Sequence, residues 1–201
     1  MSETTAPATM IELLRHGEPV GGTRFRGQRD DPLSERGWQQ MWDAVDGRGP
    51  WQQVVSSPLS RCHGFAAALC ARQALPLRAE PRFAEVGFGT WEGHTRAELE
   101  ARDPGQVDRF LRDPVGQRPA GAEPLDAFVA RVRAGFLELL DRHAGQSVLV
   151  VAHAGVIRAV IATALDIPPA AMYRIHVANA GITRLRTDRS RGYSLVAHGC
   201  A

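Results

Sequence analysis

Apolar and β-branched residues cluster at Met10–Leu14, Gln53–Ser56 and Val148–Ala152 in short, nearly unbroken runs bounded by polar or glycine-containing turns. Such runs predict strands buried on both faces, because a strand with one wet face would alternate apolar and polar residues. Helical spacing takes over between them. Ser34 is placed to cap a helix carrying Trp38, Met41, Trp42 and Val45, and Pro58 to open one through Ala66 and Leu69. Leu125–His143 lines up Phe128, Val132, Phe136, Leu139 and Leu140 on one face. Gly181–Arg186 and Tyr193–His198 read as two more strands joined by a polar turn. Strands alternating with helices predict an α/β fold, a three-layer α/β/α sandwich around a mostly parallel central sheet.

Asp103–Glu123 is rich in Pro, Gly and Arg around one apolar turn at Val107–Leu111. It predicts a mobile, lid-like insertion, around residues 94–124, over a site. Residues 1–9 are small and polar and predict a flexible leader ahead of a single domain spanning 10–201. They lack the basic and apolar regions of a secretory signal, so a cytoplasmic chain is expected.

Composition narrows the chemistry. The net charge is only +2 and the 24 basic residues are spread along the chain, so neither nucleic acid nor a membrane surface is an expected partner. A small phosphorylated metabolite is the expected one, and a homodimer is possible without any feature that specifies it. All 24 basic residues are arginine, which removes lysine Schiff-base catalysis and the lysine of a phosphate-binding P-loop. Cys62, Cys70 and Cys200 are odd in number and lack metal-ligand spacing, which predicts reduced structural thiols and no metal site.

Three polar sets follow predicted strands: Arg15-His16-Gly17-Glu18, Ser56-Ser57-Pro58-Leu59-Ser60-Arg61 and His153-Ala154-Gly155. In α/β sheets ligands bind beyond the carboxyl ends of the strands, so these sets are expected to converge. A phosphoryl group in transfer needs fixed positive donors around its oxygens and a nucleophile in line with the leaving oxygen. Arginine suits the first task and a neutral imidazole the second.

The chain resembles the histidine phosphatase superfamily, the phosphoglycerate mutase-like proteins. The likeness rests on Leu13–Glu18, Asp31–Gly37, Ser57–Arg61, Glu85 with Phe88–Gly93, and His153–Arg158, five blocks in the family's order that cover nearly all the chain after Met10. The resemblance implies that His16 is the phosphorylated nucleophile, that Arg15, Arg61 and His153 hold the phosphoryl oxygens, and that Glu85 donates a proton to the leaving group. Glu85 would then deprotonate the water that hydrolyses phosphohistidine, with no metal or cofactor needed. Glu92 is the first alternative acid.

Where relatives carry Thr or Ser and then Asn after the first-strand Glu, this chain has Pro19 and Gly22. Backbone N–H groups at Gly21, Gly22 and Thr23, the Thr23 hydroxyl or Arg24 are the candidate replacements, and Ala154 is a further expected substrate contact. Phe88–Gly93, Arg24–Gly27 and Gly121–Leu125 look most like the α-ribazole phosphatase branch, which implies α-ribazole 5'-phosphate as substrate in cobalamin assembly. Phe25, Phe88 and Trp91 are candidates for an apolar wall. The rival readings are a phosphoglycerate mutase, a broad-specificity phosphatase and a phosphate-ester binding module without turnover.

Overall fold

The protein is described by a computed structural model over residues 7–188 and 192–200. Six strands form one sheet: β1 (Thr9–Arg15), β2 (Gln53–Ser56), β3 (Leu77–Ala79), β4 (Ser147–Ala152), β5 (Ile182–Asp188) and β6 (Gly192–Cys200). Their spatial order is β3-β2-β4-β1-β5-β6. The first four run parallel, while β5 is antiparallel to both β1 and β6. Among the described residues six α-helices accompany them: α1 (Glu35–Val45), α2 (Ser60–Gln73), α3 (Arg96–Arg102), α4 (Gln106–Arg112), α5 (Leu125–Arg142) and α6 (Ala154–Ala164). The expected residues 1–6 of the leader and the polar turn at 189–191 lie outside the described residues.

The near-continuous apolar runs are explained by burial on both faces. Leu13, Val55, Val148 and Val150 point into a core shared with α5 and α6. Leu14, Val54, Leu149 and Val151, one residue out of phase, point into a second core with Met41 of α1 and Phe65 and Leu69 of α2. A strand's side chains alternate between faces, so a helical layer on each side requires apolar residues at every position. This is the three-layer architecture expected from the sequence.

Two local expectations need correction. The helix after Pro58 starts at Ser60, with Leu59 as its extended N-cap. The Pro-, Gly- and Arg-rich stretch, read as a single apolar turn, contains the whole of α4, with Val107 and Phe110 buried. The short strand β3 and helices α3 and α6 also lacked a prediction. No helix among the described residues is long and apolar enough to cross a membrane.

Register places the functional edge. Arg15 pairs with Ala152 across β1 and β4, and Ser56 with Val151 across β2 and β4, so the three strands end level. The ladder continues one step beyond them, with His16 N–H donating to the Ala152 carbonyl and Ser57 N–H to that of Val151.

Helix α1 braces the loop after β1. Ser34 caps it by accepting from Gly37 N–H at 3.0 Å, and its own hydroxyl donates to the Glu18 carbonyl. Gly37 approaches so closely that an added Cβ would run into the Glu18 backbone, and one on Gly17 would run into Gly37. Gly37→Ala is therefore expected to destabilise the protein by about 1–3 kcal/mol through overpacking, and to lower activity by displacing the loop that carries His16. Chemical denaturation and steady-state assays of the variant check both.

Candidate active site

His16 lies just past β1 and is buried. Its Nδ1 is 2.7 Å from the Gly17 carbonyl oxygen, and a carbonyl can only accept, so Nδ1 carries the proton and Nε2 keeps its lone pair. Burial, reinforced by the positive charges of Arg15 and Arg61, holds the His16 pKa well below the usual histidine range. The ring is therefore neutral, in the tautomer a nucleophile at Nε2 requires.

Arg15 and Arg61 flank it without carboxylate partners among the described residues. Arg15 Nη1 donates to the Val177 carbonyl, while burial lowers its pKa to about 10 and leaves it cationic at neutral pH. Arg61 donates from Nη1 to the Arg29 carbonyl and from Nη2 to that of Gly27, each at 2.8 Å. The Nε of each is buried and meets no acceptor. An orphaned buried donor costs about 1–3 kcal/mol, a debt that an incoming phosphoryl oxygen would relieve.

His153 is the extended N-cap of α6 and fully buried. Its ring centroid lies 5.2 Å from that of His16, and its Nε2 is 2.7 Å from Ser57 Oγ. It sits behind His16 and does not line the cleft. Burial, then the charge of Arg61, depresses its pKa. The Cys62 Sγ–H donates to the Ala152 carbonyl and lies 3.6–3.7 Å from both His153 nitrogens. Burial raises the Cys62 pKa, so it remains a thiol packed against that ring.

Glu85 enters from the loop after β3. One carboxylate oxygen accepts from Val86 N–H at 2.9 Å and the other from Gly155 N–H at 3.0 Å, which fixes it at the start of α6. Arg131 of α5 clamps this loop from behind, donating to the carbonyls of Arg82, Ala84 and Glu85 while paired with Glu123.

Glu92, the alternative acid, is elsewhere. Its oxygens accept from the backbone N–H groups of Gln28, Arg29 and Phe88 and tie the 27–29 segment to the 88–92 segment. The Gly27 and Arg29 carbonyls that hold Arg61 belong to that segment, so Glu92, which is absent from the cleft lining, acts on the site indirectly, through Arg61 and the backbone it gathers.

A cleft of about 420 Å³ opens over these groups. Among the sequence-predicted contacts, Arg15, His16, Gly22, Thr23, Arg24, Arg61, Glu85 and Ala154 line it. The Gly22 N–H is already donated to the Pro19 carbonyl, and Arg24 is engaged by the Gly21 and Gly93 carbonyls and by Glu98. Thr23 has neither kind of engagement among the described residues. Phe25 and Phe88 stand on the cleft wall, whereas Trp91 packs edge-on behind Phe25 and is absent from the lining. Sequence reasoning missed Arg158, Tyr173 and Asn179, which also line the cleft. Arg158 was findable: once α6 is recognised, it lies one turn after Ala154 on the same face.

The two depressed histidines make stability pH-dependent. Their folded pKa values lie below those of the unfolded chain, so below about pH 6.5 the unfolded chain binds more protons and unfolding becomes easier. Each contributes up to about 1.4 kcal/mol per pH unit in that window. Urea unfolding at pH 7.5 and 5.5 in phosphate-free buffer should show this fall, with a shallower slope for His153→Asn; an unchanged slope would place the titration elsewhere.

The sequence and the fold agree with known proteins. The chain is 35% identical over 195 residues to a bifunctional protein of Mycobacterium tuberculosis, a match covering 94% of this chain and 53% of that protein. It thus spans about half the length of the first curated relatives it matches. It is 28% identical over 170 residues to the adenosylcobalamin/alpha-ribazole phosphatase of Salmonella typhimurium, covering 82% of this chain and 84% of that one. The solved structure of mycobacterial glucosyl-3-phosphoglycerate phosphatase with VO3 superposes with a TM-score of 0.86 at 31% identity, over 96% of this chain and 99% of that chain. The model of the histidine phosphatase superfamily (branch 1) matches residues 11–199, and the chain belongs to that family.

Proposed function

We propose that this chain is a phosphomonoesterase that cleaves a small phosphate ester through a phosphohistidine on His16. The observation that carries the reading is the His16 tautomer, which leaves the Nε2 lone pair free on a ring flanked by buried Arg61 and partly buried Arg15, whose Nε–H groups lack acceptors among the described residues. Nε2 attacks phosphorus, an N–P bond forms, the ester P–O bond breaks, and the departing oxygen takes a proton from Glu85. Water then attacks phosphorus and gives a proton to the Glu85 carboxylate. The N–P electron pair returns to His16 and inorganic phosphate leaves. Arg15 and Arg61 stabilise the charge on the phosphoryl oxygens in both steps, and His153 supports His16 from behind.

For the substrate, the α-ribazole 5'-phosphate reading draws support from the Salmonella relative and from Phe25 and Phe88 on the cleft wall, where a flat base could pack. Its place in cobalamin assembly and a cytoplasmic location belong to the same proposal.

Two variants test the chemistry. His16→Ala should reduce turnover of p-nitrophenyl phosphate to background, and labelled substrate should leave acid-labile, base-stable phosphate on His16 of the parent protein; label on another residue would refute the assignment. Glu85→Gln should slow esters of alkyl alcohols by about 10²–10⁴-fold, and esters of acidic phenols far less, because a good leaving group needs no proton. Equal losses would remove Glu85 from proton transfer.

A further inference from the structure

Beyond the phosphoryl cradle, the cleft is lined by four more arginines. Arg24, Arg26 and Arg96 are each neutralised, by Glu98, Asp31 and Asp108. Arg158 is not. Its Nε donates to the Ile175 carbonyl at 2.8 Å, and no carboxylate forms an ion pair with it among the described residues. The guanidinium lies over the Tyr173 ring, 5.5 Å from its centroid. The Tyr173 hydroxyl is itself buried. Arg118, a side chain that can only donate, acts on the hydroxyl oxygen by hydrogen bonding and charge, which leaves the phenol proton without an acceptor among the described residues. Burial raises the Tyr173 pKa, so the group stays a donor.

The acid that both side chains sense is Glu85. Its oxygens, however, accept from the Val86 and Gly155 N–H groups and not from Arg158. Glu85 is held at the start of α6 by Gly155 N–H, and Arg158 lies about one turn along the same helix with Tyr173 against it, so both lie on the Glu85 side of the site, where the alcohol half of an ester would leave.

We propose that Arg158 and the Tyr173 hydroxyl form a second anion subsite, which binds a carboxylate carried by the alcohol half of the phosphate ester. The claim rests on the phosphomonoesterase reading for its orientation. A planar guanidinium fork matches a carboxylate with two parallel hydrogen bonds, and a phenol adds a third donor. A neutral alcohol would leave a partly buried cation and a buried hydroxyl unanswered. The subsite thus favours acidic sugar or hydroxy-acid phosphates; it keeps the phosphohistidine chemistry proposed above and stands as the rival to the α-ribazole substrate, which offers Arg158 no carboxylate.

The test compares 3-phosphoglycerate with glycerol 3-phosphate, which differ by a carboxylate in place of a hydroxymethyl group. The parent protein should prefer the acid by roughly 10- to 100-fold in kcat/KM, as expected for one charge-assisted contact. In Arg158→Gln the ratio should fall to near one, chiefly through KM, and Tyr173→Phe should lower it several-fold. If Arg158 serves only to steady Glu85, both esters will suffer alike and the ratio will stand, which overturns the subsite. A ratio near one in the parent protein overturns it too. Turnover of p-nitrophenyl phosphate reports separately on the phosphomonoesterase reading. Calorimetric affinities of the two ligands for His16→Ala, with and without Arg158→Gln, decide the subsite without turnover.

Discussion

Arg61, fully buried, and Arg15, partly buried, lie at the end of the sheet with no ion-paired carboxylate among the described residues, and each keeps a buried Nε–H that none of those residues accepts. Placing positive charge in a low-dielectric interior is costly, and the protein answers it with backbone carbonyls from Val177, Gly27 and Arg29. Carbonyls orient the guanidinium groups without cancelling their charge, so the field at His16 stays positive. That field, added to burial, holds both histidine pKa values well below the usual range and leaves the site receptive to an anion.

Much of the surrounding structure holds this arrangement in place. Glu92 gathers the 27–29 segment so that its carbonyls face Arg61, and Asp30, the next residue, accepts from Ser60 N–H and Oγ–H at the start of α2. On the opposite side, Glu123 and Arg131 fix the loop that presents Glu85. Many of the acids thus place loops and arginines, while the acids that line the cleft are Glu18 and Glu85, of which Glu85 is the one fixed by Gly155 N–H at the start of α6. Glu12, buried in β1, follows the same rule, joining Trp51 and Arg184 across the sheet well away from the cleft.

The strand runs and the helices α1 and α5 were legible because burial on two faces and helical amphipathicity each leave a periodic trace over several residues. The convergence of Arg15, His16, Arg61 and His153 followed from parallel strands ending level, once each set was seen to follow a strand. The short β3 left no trace because three residues carry too little periodicity. Helix α4 was hidden by the prolines and glycines on either side of it.

The sequence by itself determined the layered α/β plan, the order of the polar blocks and the identity of the nucleophile and cradle candidates. These depend on residue type and on short-range spacing, which the chain displays directly. Only the tertiary structure put Glu85 on the cleft and Glu92 away from it, put Trp91 behind the cleft wall, set His153 beneath His16, and left Arg158 without an ion pair among the described residues where Arg24, Arg26 and Arg96 are paired. The reason is physical: a charged side chain's role is set by what neutralises it, and here the partners lie 5 to 74 residues away in sequence, at distances that no local pattern encodes.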